Sequence, residues 1–402
     1  MKLLVLLAYT YLPIMVFAQK ASSIVPDSIK KSYTRHQVDL IDIGKSVLHI
    51  HPKPASPKKW QNIYFSVLPS TSVPDGSGRA LVTSTNAGMY LGPRKTTNLS
   101  SATFAPYWNF GRQFGLPLRN SIWLPNNWLT IQGDIRFLRY PEYTWGLGST
   151  NTKDERTLVD YNYIRFYQSV LKPIRTYLFA GLGYDLDYHS KIHSVDTDLT
   201  KFVKYPYGTS GKSLSSGVTF NLLYDTRNNS INPLPGAYAN IVYRVNPKVL
   251  GSDDLWSSLY IDLRKYIPLN PAKPMQQNTL ALWSYWWSSF GKAPYLDLPS
   301  IGWDTYNRSG RGIEQNRYRG KSLFYFESEY RRDITDNGLF GFVVFGNINT
   351  VSGSGTLFTS WHPAAGTGLR IKFNKGSGTN LGIDVGFSQG YGTVLLNLGE
   401  AF

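Results

Sequence analysis

The chain has 402 residues, a formal net charge of +16, no cysteine and a mean hydropathy of −0.26. Without cysteine it builds no disulfide, no thiolate metal site and no lipidated N-terminal cysteine. Its positive charges sit singly rather than on one stripe or helix face, which argues against a nucleic-acid partner and for headgroups or a polar lumen as what they meet.

The N-terminus, Met1-Lys2-Leu3-Leu4-Val5-Leu6-Leu7-Ala8, places a charge before an apolar core, and Val16 and Ala18 stand where a signal peptidase reads small residues. Residues 1–18 are expected to be a cleaved signal peptide, since the apolar run falls short of the ~20 residues a spanning helix needs. Residues 19–59 hold no sustained period and end in a Pro- and Lys-rich run, His51 to Lys59, that reads as an extended linker. Within them Gln37 to Leu48 has the spacing of a short amphipathic helix (Val38, Leu40, Ile41, Val47, Leu48). This segment is expected in the periplasm, or as a plug beneath the domain formed by residues 60–402.

From Ile63 onward short alternating runs follow one another, separated by Gly, Pro, Asn and Ser clusters. They predict strands at 62–69, 80–91, 97–109, 113–124, 128–146, 157–171, 174–188, 214–227, 236–247, 255–267, 277–290, 321–334, 339–350, 362–374, 379–389 and 391–402. Leu178, Ala180, Leu182 and Leu186 oppose Asp185 and Asp187; Leu259, Ile261 and Leu263 oppose Asp262 and Arg264; Phe324, Phe326 and Tyr330 oppose Glu327, Glu329 and Arg331. A charge on a lipid-facing position near the midplane costs ~2–4 kcal/mol, so the charged face must be internal. Closure into a barrel satisfies every backbone polar group without exposing an edge to hydrocarbon. Aromatic residues are 15% of the chain, as suits walls that meet headgroups, and Trp283-Ser284-Tyr285-Trp286-Trp287 reads as wall and headgroup belt. The expected fold is therefore all-β: a 16-stranded antiparallel transmembrane β-barrel, the even count leaving both ends on the periplasmic side.

Three stretches are more specific than the period. Tyr224-Asp225-Thr226-Arg227, followed by Pro233, Pro235 and Gly236, is a strand running into a stiffened turn, with Asp225 and Arg227 on one side and able to pair. Gly310-Arg311-Gly312-Ile313 lies in a segment of about thirty residues from Gly291 to Gly320, a length usually functional. Its glycines leave room for Arg311 to approach a wall, where a bidentate bond to Glu327 or Glu329 is expected. In the C-terminal run, Val394, Leu396, Leu398 and Phe402 are read as sharing one face.

Together these residues resemble the BamA/TamA superfamily of outer-membrane insertases and translocases, the bacterial surface antigen barrels. Tyr224-Asp225-Thr226-Arg227 with Pro233 and Gly236 is similar to a recurring turn signature. Gly310-Arg311-Gly312-Ile313 resembles the Arg-Gly motif of an extracellular loop that folds back into the barrel, and Glu329-Tyr330-Arg331 the Glu-x-Arg of the next strand. Tyr140 to Gly148 is similar to a barrel segment of some members. Leu396, Leu398 and Phe402 resemble the C-terminal β-signal by which assembly machinery captures a strand edge. The chain departs from the pattern twice. Residues 19–59 are too short for one of the POTRA domains usual before the barrel, as in a branch lacking them. Phe342-Val343-Val344-Phe345-Gly346 carries no acid where the family's next strand offers an aspartate to the loop arginine.

The resemblance implies an outer-membrane protein of a Gram-negative bacterium, not an enzyme, that assists insertion or transport of proteins or lipids as a subunit of a larger complex. A seam between the first and last strands would open for a client edge, with Pro69, Pro74 and Gly76 shortening the first strand's pairing. The implied partners are outer-membrane lipids, including lipopolysaccharide, and other outer-membrane or periplasmic proteins. The alternatives are an accessory barrel that scaffolds another complex and a plugged passive channel. Neither metal nor cofactor is expected. His36, His49 and His51, and the pair His189 and His193, lack a supporting carboxylate or cysteine cluster. His189-Ser190 near Asp185 and Asp187 reads as solvated loop polars rather than a triad.

Overall fold

The computed structural model describes residues 37–49, 64–70 and 81–402, the last apart from 110, 112, 228, 234, 271–275, 306 and 354–357; of 64–70 and 81–84 it describes the backbone alone. The expected signal peptide, the linker, His36, His51, Pro74 and Gly76 lie outside these residues.

Sixteen strands run in chain order: β1 (Tyr64–Ser70), β2 (Leu81–Met89), β3 (Ser100–Phe104, continuing as Tyr107–Trp108), β4 (Phe114–Trp123), β5 (Thr130–Arg139, continuing as Glu142–Thr144), β6 (Thr157–Arg175), β7 (Leu178–Ser194), β8 (Gly211–Asp225), β9 (Gly236–Asn246), β10 (Trp256–Pro268), β11 (Asn278–Gly291), β12 (Ser322–Asp333), β13 (Phe340–Val351), β14 (His362–Asn374), β15 (Thr379–Ser388) and β16 (Tyr391–Leu398). The sheet has 18 ladder segments. Two positions are each filled by two segments: both pieces of β3 pair with β2 and β4, and both pieces of β5 pair with β6. Sixteen positions remain, and every registered pair is antiparallel.

The ladder runs from β1 to β16 and the barrel is nearly closed. Among the described residues no register joins β1 to β16. The end of β16 meets β2 instead, where Asn86 donates its side-chain amide to the Leu398 carbonyl at 3.2 Å.

The alternation decides which face is which. Outward positions leave Leu182, Phe220, Leu369, Phe387 and Val394 between 53% and 62% exposed, far more apolar surface than water tolerates on one face. Inward side chains around the wall, among them Asp187, Arg244, Asp262, Glu329 and Arg370, are buried. The Trp-rich run splits by the same rule. Trp283 and Tyr285 are buried in an inner aromatic cluster with Trp287 packed against it, so the belt expected from sequence is largely a lining of the lumen.

The outer end is roofed. The β8 approach carries α2 (Leu199–Val203), and Tyr205 donates to the Ala293 carbonyl at 2.6 Å while Tyr295 N–H donates to Tyr207 O at 2.9 Å. Before the barrel, α1 (Leu40–Val47) forms where the apolar spacing predicts a helix, started by a capping box between Asp39 and Asp42.

Candidate functional site in the barrel lumen

The long loop between β11 and β12 turns inward and is gripped on two sides. On one side, Arg311 reaches three carboxylates. Its guanidinium donates to Asp384 of β15 at 2.9 Å and to Glu327 and Glu329 of β12, and it lies 3.7 Å from the ring centre of Phe345. All four charged groups are buried. The acid-free strand thus contributes an aromatic face to the arginine, while the aspartate comes from two strands further round.

Backbone packing makes this reach possible. Gly312 has φ +89°, and a Cβ there would sit 2.7 Å from Phe387 N, while a Cβ on Gly386 would sit 2.8 Å from Gly312 N. Two glycines therefore let loop backbone lie flat on strand backbone. Asn347 donates to the Arg311 carbonyl at 2.9 Å, the Tyr325 hydroxyl accepts from Gly310 N–H at 3.1 Å, and Ile313 is buried in the inner aromatic cluster.

On the other side, Glu142 of β5 accepts from Asn316 at 2.6 Å, Trp303 at 3.1 Å and Arg319 at 3.3 Å. Arg136 donates to Asn307 at 2.8 Å and to the Thr305 carbonyl at 3.0 Å.

The C-terminal run does not keep one face. Asn397 points inward to Asp384 at 2.9 Å, so Val394 and Leu396 alternate to the other side. Gly399, at φ +97°, then turns the chain. Phe402 enters the lumen instead of joining that outer row, which corrects the shared-face expectation. Its ring lies 5.2 Å from Trp283 and 6.3 Å from Tyr266, and its carbonyl accepts from Arg331 at 2.9 Å. Glu400 accepts from Arg370 at 2.9 Å and Asn380 at 2.7 Å, and its carbonyl takes a hydrogen bond from Arg308 of the loop. Arg370 also reaches Asp384 at 2.5 Å, and Arg331 reaches Glu329 at 2.5 Å. Loop, tail and wall thus share one network of Arg311, Arg331 and Arg370 with Glu327, Glu329, Asp384 and Glu400.

At the opposite mouth, Arg227 holds Asp225 bidentately at 2.9 and 2.8 Å and lies 4.2 Å from the Tyr238 ring centre. Gly236, at φ +140°, covers the Arg227 backbone, where a Cβ would come within 2.9 Å. Pro233 is buried in the turn between them. That turn extends across the mouth, with Asn229 donating to Ser377 O at 2.7 Å and Asn232 to Gln277 at 3.1 Å.

Sequence reasoning missed Asp384, Arg370, Glu400, Glu142 and Arg136. A signal was present, because an acid and an arginine two apart on an inward face recur: Asp134 and Arg136, Asp225 and Arg227, Asp262 and Arg264, Glu329 and Arg331 each bond directly. Such a repeat marks an ion-paired interior, although it leaves open which strand meets the loop.

The histidines are placed differently from expectation. His189 is buried inside β7, stacked on Tyr163 at 4.3 Å, rather than set in an external loop, and His193 is exposed on the same strand. The ring nitrogen Nδ1 of His189 faces both Ser213 (3.4 Å) and Asp297 (3.7 Å), so one nitrogen would serve both neighbours and no relay runs through the ring. Among the described residues no cluster of three or more His, Cys, Asp or Glu is placed to hold a metal.

Between these packed parts a cavity of ≈ 300 Å³ remains on the β2–β10 side, lined by Arg119, Arg165, Tyr167, Asp187, Tyr238 and Arg244 among others. Asn86, Thr103 and Leu398 bring its wall to the seam, and the loop and tail close its far side.

A transmembrane barrel whose lumen is filled by a clamped loop is thus the class of protein defined here. A family model for the Omp85 superfamily domain matches residues 96–395, and the chain belongs to that superfamily. Among solved structures it is similar to BamA from Haemophilus ducreyi lacking POTRA domains 1-3, with 16% identity and a TM-score of 0.53 over 85% of this chain and 70% of that one. It is also similar to CdiB from Escherichia coli, with 12% identity and a TM-score of 0.52 over 85% of this chain and 62% of that one. At these identities the likeness is one of fold. No curated protein matches it by sequence.

Proposed function

We propose that this barrel assists the insertion or transport of proteins or lipids at the outer membrane of a Gram-negative bacterium, as a subunit of a larger complex, by parting its first and last strands for a client edge. The observation that carries this reading is the seam. Ladders register between all successive strands, while among the described residues β16 meets β2 through a side-chain bond from Asn86 and has no register with β1. An unpaired strand edge is a template for another strand. The cavity behind it is polar and aromatic, suited to a chain that still carries unpaired backbone groups. Its partners on this reading are outer-membrane lipids, including lipopolysaccharide, and other outer-membrane or periplasmic proteins. A passive channel fits less well, since the loop, the tail and the roof all occupy the route.

The test is a lock. Asn86→Cys with Leu398→Cys, joined by a short thiol crosslinker, leaves no other thiol to react because the chain has none. The crosslinked protein should lose support of outer-membrane assembly in its host and regain it with a cleavable linker after reduction. Full activity in the locked form excludes seam opening and favours the accessory-scaffold reading. Recovery of a stoichiometric partner with the intact protein would then identify what it scaffolds.

A further inference from the structure

The helix α1 is docked the wrong way round for a soluble protein. At about 100° per residue, Leu40, Ile41, Ile43, Val47 and Leu48 fall on one arc and Asp42, Lys45 and Ser46 on the other. The polar arc meets the barrel at Asp42, which accepts from Lys375 Nζ at 2.6 Å, while Lys45 and Ser46 are exposed. The cap residue Asp39 accepts from Lys375 N–H at 2.8 Å, and Val38 N–H donates to Asn337 O at 3.1 Å. No residue of the helix is buried, and Val47 and Leu48 are 69% and 68% exposed. Leu40 and Ile41 at the tethered end are half-buried, while Ile43, Val47 and Leu48 are exposed, so the apolar arc points away from the barrel along the rest of the helix.

We propose that this arc rests in the periplasmic leaflet of the bilayer, making α1 an interfacial anchor at the rim of the barrel. Three observations select lipid as the occupant. First, the tethers hold α1 to the turns that end β12 and β14, the height at which the strand wall leaves the membrane. Second, the apolar arc continues a surface already facing lipid, because Ile334 in the tethering turn and Phe340 at the start of β13 are 60% and 45% exposed. Third, residues 28–59 carry seven Lys or Arg against two Asp, complementary to anionic headgroups. A helix with an apolar face and flanking lysines lies in the interface plane, its apolar side sunk ~5–10 Å into the headgroup and acyl boundary. The geometry depends on the barrel being membrane-embedded and is independent of the proposed insertase role.

Single-cysteine labelling tests it cleanly in a chain that has no cysteine. Val47→Cys and, on the polar arc, Ser46→Cys are each labelled with an environment-sensitive fluorophore. The full chain is reconstituted in nanodiscs of phosphatidylethanolamine and phosphatidylglycerol, with or without doxyl lipid, so that iodide reaches both rims. The label at 47 should be blue-shifted and quenched by doxyl lipid about twofold more than the label at 46, with the order reversed for iodide. Adding Lys375→Glu, which replaces the side-chain tether to Asp42 with a like charge, should weaken doxyl quenching at 47 while the barrel keeps its heat-modified gel mobility. Equal iodide quenching at both positions overturns the proposal. So does shielding of position 47 from both quenchers, the result a second copy or a protein partner on this face would give.

Discussion

The two halves of the lumen are built on opposite principles. Along β11 to β15 the interior is filled: Gly312 lies on Gly386, Arg311 is enclosed by Glu327, Glu329, Asp384 and Phe345, and Phe402 packs against Trp283. Along β2 to β10 the inward arginines and tyrosines stand around a cavity that reaches the seam. The filled half fixes the loop and the tail against one wall, and the slack is left beside the edge where strands are least paired. A barrel arranged this way has a packed side and a hollow side, and the loop separates them.

The sharpest way to break the contrast is Arg311→Ala. It leaves three buried carboxylates without their shared cation, and removing one partner of a buried ion pair costs ~3–5 kcal/mol. Urea unfolding in detergent micelles should show a loss of that size, with lower folding yield. An unchanged midpoint would mean that the loop is held by Glu142 and Arg136 rather than by the clamp. Phe402→Ala should cost about 3 kcal/mol, the low end for a buried phenylalanine, because a chain end relaxes. In the same assay Asn240→Ala, on the cavity wall, should stay within about 0.5 kcal/mol. Equal costs for these two would erase the distinction between the halves.

The smallest effect concerns the rim. Burial pushes the Asp42 carboxyl up, but the hydrogen bond and charge of Lys375, with help from Asp39, outweigh it and hold Asp42 below the ordinary aspartate range. A depressed carboxyl contributes docking that is complete above the unfolded value of about 3.9 and fades as pH falls through the folded value. Hydrogen exchange of α1, expressed relative to the intrinsic amide rate at each pH, should accordingly rise below about pH 4 and stay flat from pH 5 to 8. A rise centred near neutrality would remove this pair as the tether.

The barrel itself was legible because its signal is local. Leu259, Ile261 and Leu263 against Asp262 and Arg264 state a strand and its two faces within seven residues, and sixteen such runs leave few other ways to satisfy a backbone in lipid. Arg311 was legible as a group seeking acids because the glycines beside it are a backbone requirement written in sequence. Asp384 was not, since it lies 73 residues from Arg311 and its selection depends on where the loop lands. Phe402 was misread for a related reason. Alternation predicts a face only while the chain stays extended, and one positive φ at Gly399 ends that.

What the amino-acid order determined by itself was the period, the all-β barrel class and which face carries the charges, because these follow from neighbours two apart and the cost of charge in hydrocarbon. Closure of the sheet decided the rest: which carboxylates ring Arg311, that the last residue is a lumen plug, and that slack lies beside the seam. Those contacts join residues far apart in the chain, and only the curvature of the finished wall brings them within bonding distance.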